Sequence, residues 1–366
     1  MHLSSLPLEP WIRQRALELG FARVGVCPAH PPQDAGRLHD WVRSGRHAGM
    51  AWMERTLAPR MDPEKLLPGA RSVLVVALNY APASACGSAA HPRPSEAAAS
   101  GPRGQAGALQ GKISIYARGR DYHKVLIPRL ERLRAELESR RAGCRTRVCV
   151  DTSPLLERYW AREAGLGWVG KNTNFIVQGL GSWVFLGALL CDQDLGAGGG
   201  RGTDRCGTCR RCLDACPTQA FDAAWQLDAG RCISYLTIEH RGEIEPHLAS
   251  RMGDWVFGCD DCQTVCPWNR FAVPTPVADF DHDAVTRPDL AHLAALSEPE
   301  FDRLTRGRGL RRARRAGLRR NALIALGNSA DPRAAQPLRE ALEDPDPALR
   351  RQARRSLARL HGMPET

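Results

Sequence analysis

No stretch of this 366-residue chain stays apolar over the roughly 20 residues that a helix needs to cross a bilayer. A membrane-spanning helix is therefore not expected. The opening, Met1–Phe21, lacks an apolar core and carries Pro and Arg instead. It reads as neither a secretory signal nor a twin-arginine leader, so a cytoplasmic protein with no membrane partner is expected. The other end lacks lysine. From Arg306 to Thr366 there are 15 Arg, no Lys and 6 acids, a balance of +9 within a whole-chain net charge of +11. Arginine without lysine suits flat, bidentate contacts to phosphate. A nucleic-acid partner is one reading of this end; solvated helix faces are the other.

Cysteine is plentiful, and eight of the 13 form a pattern. Cys206, Cys209, Cys212 and Cys216 follow C-x₂-C-x₂-C-x₃-C-P. Cys232 stands alone, and Cys259, Cys262 and Cys266 read C-D-D-C-Q-T-V-C-P. In the bacterial ferredoxin spacing the fourth cysteine of such a run ligates the other cluster. Two 4Fe–4S clusters follow. One takes Cys206, Cys209, Cys212 and Cys266; the other takes Cys216, Cys232, Cys259 and Cys262. A proline after Cys216 and after Cys266 ends each ligand turn, because it cannot continue a helix. A pair of Cys₄ zinc sites competes with this reading, although zinc ribbons show two separated C-x₂-C pairs. Disulfides are disfavoured with no secretory signal. Cys27, Cys86, Cys144, Cys149 and Cys191 follow no pattern and read as buried thiols of a reducing compartment.

Periodicity divides the chain in three. Residues 1–200 alternate helices and strands, which reads as an α/β domain. Helical spacing covers Trp11–Leu19, Asp121–Leu137 and Pro154–Ala164. Ala22–Val26, Ser72–Leu78, Thr146–Val150 and Trp183–Leu190 read as strands. Ala81–Gly111 is rich in Ala, Pro, Gly and Ser and reads as a mobile loop. Residues 201–280, held by metal and short of strands, read as a ferredoxin-like domain. Residues 281–366 read as helical. There Leu318–Leu326 resembles Leu349–Leu357, with the turn Asp331-Pro332 and a helix Arg333–Glu343 between them. The period is that of HEAT-type helix pairs, and so few repeats must dock on the body to be stable.

Beyond the cysteines, several segments together resemble the epoxyqueuosine reductases. They are Arg60-Met-Asp-Pro63, Ala117-Arg-Gly-Arg-Asp-Tyr-His123, Val150-Asp-Thr152, Ala164-Gly-Leu-Gly-Trp-Val-Gly-Lys-Asn-Thr173 and Cys232-Ile-Ser-Tyr-Leu-Thr237. The resemblance implies a cobalamin-dependent enzyme that performs the last step of queuosine biosynthesis. Its α/β domain would be similar to that of reductive dehalogenases and hold cobalamin base-off beside one cluster. An external donor of flavodoxin or ferredoxin type would feed electrons through both clusters to cobalt. The epoxide oxygen of epoxyqueuosine at the tRNA wobble position would leave as water. A monomer is expected.

The resemblance also implies roles for particular residues. Asp151 matches the proton donor. The chemistry agrees, since an opening epoxide needs a proton and a carboxyl raised by an apolar site can give it. The competing role for Asp151 is N-cap of a helix starting near Pro154. Cobalamin contacts are implied for Arg60, Ser114, Asp151, Lys171, Asn172, Phe175, Leu186, Asp260 and Asp261. Ser114 stands where some members have Cys, which puts a catalytic thiol there in doubt. The glycine turn Gly165–Gly170 would let backbone approach a flat cofactor. Asp121, His123, Ser234 and His240 are implied near the substrate; helix capping is the alternative for Asp121. From charge alone, Arg319, Arg320, Arg350 and Arg351 are expected to grip the tRNA backbone. A reductive dehalogenase and a ferredoxin-like carrier without an active site are the rival readings. The missing leader and the Arg-rich tail speak against the first.

Overall fold

Every residue of the strand Ser72–Asn79 is buried, so the run S-V-L-V-V-A-L-N forms the inside of a sheet. The computed structural model describes residues 10–86, 109–196, 200–280 and 285–363. Most of the expected Ala81–Gly111 loop, residues 87–108, lies outside the described residues. Alternate side chains of Ser72–Asn79 feed two cores, as a pleated strand dictates. Leu74, Val76 and Leu78 join one, covered by the helices Pro10–Glu18 and His123–Arg140. Val73, Val75 and Ala77 join the other, with Trp160 of the helix Glu157–Glu163. On His123–Arg140 the buried positions Val125, Leu126, Leu130, Leu133 and Leu137 recur at helical spacing.

The order across the sheet is Arg23–Pro28, Ser72–Asn79, Val184–Cys191, Thr146–Cys149, and every pairing is antiparallel. Helices and strands alternate along the chain as expected, but the sheet is not the parallel one that such alternation usually builds. The connections are long and carry further elements, so they leave strand direction free. The helix expected at Pro154–Ala164 starts later, at Glu157, after a turn over Asp151–Pro154. Asp151 is therefore not its N-cap; Leu156 holds that position.

The three regions interlock. Lys112–Ile113 pairs in parallel with Trp255–Phe257 of the cluster region. The tail shares one core with both, since Ile113, Val256 and Phe257 pack among Leu318, Leu323 and Leu349. Helices Arg314–Asn328 and Pro347–Leu360 are the two matching repeats. They approach so closely that a Cβ on Gly327 would meet Ser356 at 2.8 Å. Between them the chain is a helix Ala335–Glu340 flanked by two 3₁₀ turns. No helix among the described residues is long and apolar enough to cross a membrane.

Candidate active site and cluster centres

Asp151 follows the strand Thr146–Cys149 and takes φ = +42°, a left-handed conformation that only glycine adopts freely and that aspartate and asparagine tolerate better than other side chains. The turn leaves its side chain 51% exposed and sets Oδ2 3.5 Å from His123 Nε2. At that distance the contact is a charge pair rather than a full hydrogen bond. The other ring nitrogen, Nδ1, lies 3.0 Å from Asp121 Oδ1, which also accepts the His123 backbone N–H. Asp121 thus holds the His123 backbone and aims the imidazole, while Tyr122 takes the N-cap position. Tyr122 stacks between His123 and Phe185, at 4.3 and 4.5 Å.

Two carboxylates push the His123 pKa up to about 9, Asp121 more than Asp151. Burial raises the pKa of Asp151, but the facing His123 and Tyr122, together with Arg312, outweigh it and hold the carboxyl below the ordinary range. The expectation of an Asp151 raised by an apolar site is thereby corrected. At neutral pH the proton is on His123, because an imidazolium faces the carboxylate.

Three neighbours of Asp151 escaped the sequence reading. Tyr122 is one. Glu157 is another: its Oε1 is fully buried and unpartnered although its residue is only partly covered. Burial, then the Asp151 charge, pushes its pKa up to about 7. Arg312 is the third. It pairs with Glu239 and lies over the Trp52 ring. It comes from the start of the tail, and only the fold brings it here. Arg60 is part-buried beside Asp151 and Glu157, with Nη1 3.4 Å from the Leu155 carbonyl.

The eight patterned cysteines gather as two sets. Cys206, Cys209, Cys212 and Cys266 line one pocket. Burial, then the charges of Cys266, Cys206 and Cys209, push the Cys212 thiol up to about 12. Cys262 is raised by burial and then by Cys232, Cys212 and Cys216; Cys259 likewise feels Cys262 and Cys232. Crowded, partly buried thiols that resist ionisation are what a cationic iron core stabilises as thiolates. The donor set therefore fits. Backbone and amide groups point at the sulfurs: Ala220 N lies 3.3 Å from Cys216 Sγ and Asn174 Nδ2 lies 3.6 Å from Cys262 Sγ. Cys27, Cys144, Cys149 and Cys191 are buried, as expected; Cys86 is only partly so.

Three family profiles match the chain: a 4Fe-4S double cluster binding domain over residues 205–269, epoxyqueuosine reductase QueG over residues 60–152, and HEAT repeats over residues 307–366. An epoxyqueuosine reductase of Synechocystis is 44% identical over 83% of this chain and 100% of its own. That of Escherichia coli is 39% identical over 87% of this chain and 80% of its own.

The chain belongs to the epoxyqueuosine reductase family.

Solved structures agree. An epoxyqueuosine reductase with an epoxyqueuosine-modified tRNA stem loop superposes with a TM-score of 0.84 at 29% identity, covering 96% of this chain and 89% of its own. A Bacillus subtilis member, described with its catalytic aspartate loop swung out of the active site, superposes at 0.85 with 28% identity, covering 96% and 89%. Reductive dehalogenases reach a TM-score of only 0.37 at 15% identity, too weak to bear on the sheet domain.

Several residues that the family resemblance assigned to cobalamin are committed elsewhere. Lys171 Nζ holds the carbonyls of Gly207 and Cys209 at 2.5 and 2.9 Å, so it staples the first cysteine loop. Asn172 donates to the Cys262 carbonyl. Ser114 Oγ donates to Asp260 Oδ1 at 2.6 Å, and both side chains are buried. Together they stitch the sheet domain to the second cysteine loop. Asp261 accepts from Trp255 Nε1. Phe175 is in the core, whereas Leu186 is only partly covered. The glycine turn serves protein packing: a Cβ on Gly167 would lie 2.0 Å from the Ile176 carbonyl.

The tRNA residues divide similarly. Arg319 pairs with Asp344 and donates to the Ala294 carbonyl. Arg320 donates to the carbonyls of Leu236, His240 and Gly242. Both are buried, so the expectation that they grip RNA is corrected: burial has turned them into struts. Arg350 holds the Asp344 and Pro345 carbonyls, and Arg351 pairs with Glu243 while half exposed. His240 Nε2 meets the Glu243 carbonyl at 2.7 Å, and Ser234 is part-buried on the helix Ile233–Ile238.

Proposed function

We propose that this chain reduces epoxyqueuosine to queuosine at the wobble position of tRNA, using two 4Fe–4S clusters and base-off cobalamin. An epoxide, two electrons and two protons become an alkene and water. The observation that carries this reading is the meeting of all three regions at Asp151. The sheet domain supplies Asp151 and His123, and the tail supplies Arg312. The cluster region supplies Glu239, which pairs with Arg312. A plain electron carrier has no use for a strained, half-exposed carboxylate beside a protonated histidine.

The buried, unpartnered Glu157 Oε1 beside Arg60 fits a large ligand rich in amide donors. Arg60, Asp151 and Leu186 are the residues of this chain that would hold cobalamin there. When bound, cobalamin supplies low-potential electrons at its metal. The protein supplies the proton. Asp121 keeps His123 charged up to about pH 9, and the developing alkoxide takes that proton, passed on through the facing carboxylate of Asp151. Tyr122 holds the imidazole in plane.

The tRNA face lies where the tail meets this site. The Gly307 carbonyl accepts the Asp121 N–H at 2.8 Å, which lays residues 306–314 beside the pocket. Arg306 and Arg314 are exposed there without a carboxylate partner among the described residues. Those two, with Arg312, replace Arg319 and Arg320 as the phosphate-facing set. The site is complete within one chain, which suits a monomer.

Anaerobic turnover tests the whole. Reconstituted protein given epoxyqueuosine-containing tRNA, cobalamin and a low-potential reductant should yield queuosine by nucleoside mass spectrometry. No queuosine from protein loaded with both clusters and cobalamin would reject the reading.

A further inference from the structure

A pocket open to solvent lies over the first cysteine set. Cys206, Cys209, Cys212 and Cys266 form its floor, and Arg205, Arg270 and Phe271 are on its rim. The second set adjoins the substrate site, since Asp260 and Asp151 both act on Tyr116. Cys259 precedes Asp260, whose carboxylate accepts from Ser114 and from the Ile115 N–H at the base of the substrate site. Electrons bound for Asp151's neighbourhood therefore arrive at the first set and leave from the second.

Two features mark the rim as a surface made for a partner. Arg205, Arg211 and Arg270 are exposed and have no carboxylate partner among the described residues. Arg210 is exposed too, with Asp214 at 3.6 Å as its ion-pair partner. Asp204 is engaged in accepting the Cys206 N–H. The second feature is apolar. Of six exposed large hydrophobic residues described, Phe271, at 46%, lines the pocket itself, Val273, at 48%, follows it two residues on, and Trp225, at 43%, is tied to the pocket through Lys171. Trp225 is held there by its N–H to the carbonyl of Lys171, itself a pocket residue. An apolar centre ringed by unpaired arginines matches a small, transient electron-transfer interface, where charge steers the encounter and apolar contact closes it.

We propose that this face is the docking surface of an acidic one-electron carrier protein. Each docking passes one electron: the carrier is oxidised and the first cluster reduced. Two dockings supply the two electrons that the epoxide consumes, with both protons drawn from the protein and water. The proposal deepens the reductase reading and rests on it for the demand for electrons.

The test uses the double variant Arg205→Glu/Arg270→Glu in cluster-loaded protein, with reduced flavodoxin as probe. Cluster reduction is followed anaerobically as bleaching of the iron–sulfur absorbance, so the readout does not depend on turnover. At low salt the second-order rate constant should fall about tenfold or more, and its salt dependence should flatten. Reduction by methyl viologen radical, iron content and tRNA affinity should stay at wild-type values. An unchanged rate with flavodoxin overturns the proposal. So does equal loss with methyl viologen, which would assign these arginines to the cluster itself, or weakened tRNA binding, which would assign the face to RNA. Wild-type protein whose clusters are reduced normally yet yields no queuosine would sink the reductase reading and leave the docking face standing.

Discussion

At φ = +42° the Asp151 backbone is held in a conformation that asparagine tolerates as well as aspartate. Asp151→Asn therefore keeps the turn and removes only the carboxylate. Iron content and fold should be unchanged while turnover of epoxyqueuosine tRNA falls roughly 10²-fold or more at saturating cobalamin. Near-normal turnover would demote the residue to a structural turn. The sequence placed Asp151 at a strand end, but it could not show the pKa direction. That direction depends on His123, which only folding brings near. Glu157 was illegible for the same reason, since nothing local marks a helix-start glutamate as buried. Its raised pKa has a stability consequence. The folded state keeps a proton that the unfolded state loses at an ordinary glutamate pKa, so stability falls as pH rises from about 4.5 to about 7. Glu157→Gln should flatten that slope and raise Tm at pH 8, measured by thermal unfolding across pH.

Among the elements, the tail helices show how far periodicity reaches. The repeat of Leu318–Leu326 at Leu349–Leu357 was visible in the sequence, and both segments are helices. Which arginines face outward was not, because the usual outward placement of charge fails where a guanidinium finds several carbonyls. Arg320 is so far buried that its pKa is lowered to about 10, mainly by loss of water. Charge reversal should therefore separate two classes. Arg319→Glu or Arg320→Glu breaks buried contacts and should cost about 3–5 kcal/mol of stability. Arg306→Glu with Arg314→Glu should leave Tm within about 1 kcal/mol equivalent of wild type and weaken tRNA binding, flattening its salt slope. Calorimetry and tRNA titration at two salt concentrations read both. Equal tRNA affinity for the surface pair would move the RNA face elsewhere. The sheet gives the complementary lesson: strand positions were legible from apolar runs, whereas their antiparallel order was set by long connections that carry no local signal.

For the whole molecule, the cysteine spacing carried most of the architecture. Cys206, Cys209, Cys212 and Cys266 line one pocket although Cys266 is 50 residues or more away in sequence, the grouping that the crossing rule of the ferredoxin run calls for. About eight irons per chain are expected from anaerobically prepared protein. Replacing Cys212 should damage one cluster and Cys216 the other, although they are four residues apart; resolved electron paramagnetic resonance signals would tell them apart. Zinc, or about four irons in the wild type, contradicts the assignment.

Asn321, on the helix Arg314–Asn328, donates to the carbonyls of Thr237 and Val256, and Thr237 Oγ1 accepts the Gly258 N–H. Those residues follow Cys232 and precede Cys259, so a single buried amide clasps the segments that carry two sulfurs of one cluster. Metal occupancy and the seating of the tail are thereby parts of one mechanical linkage.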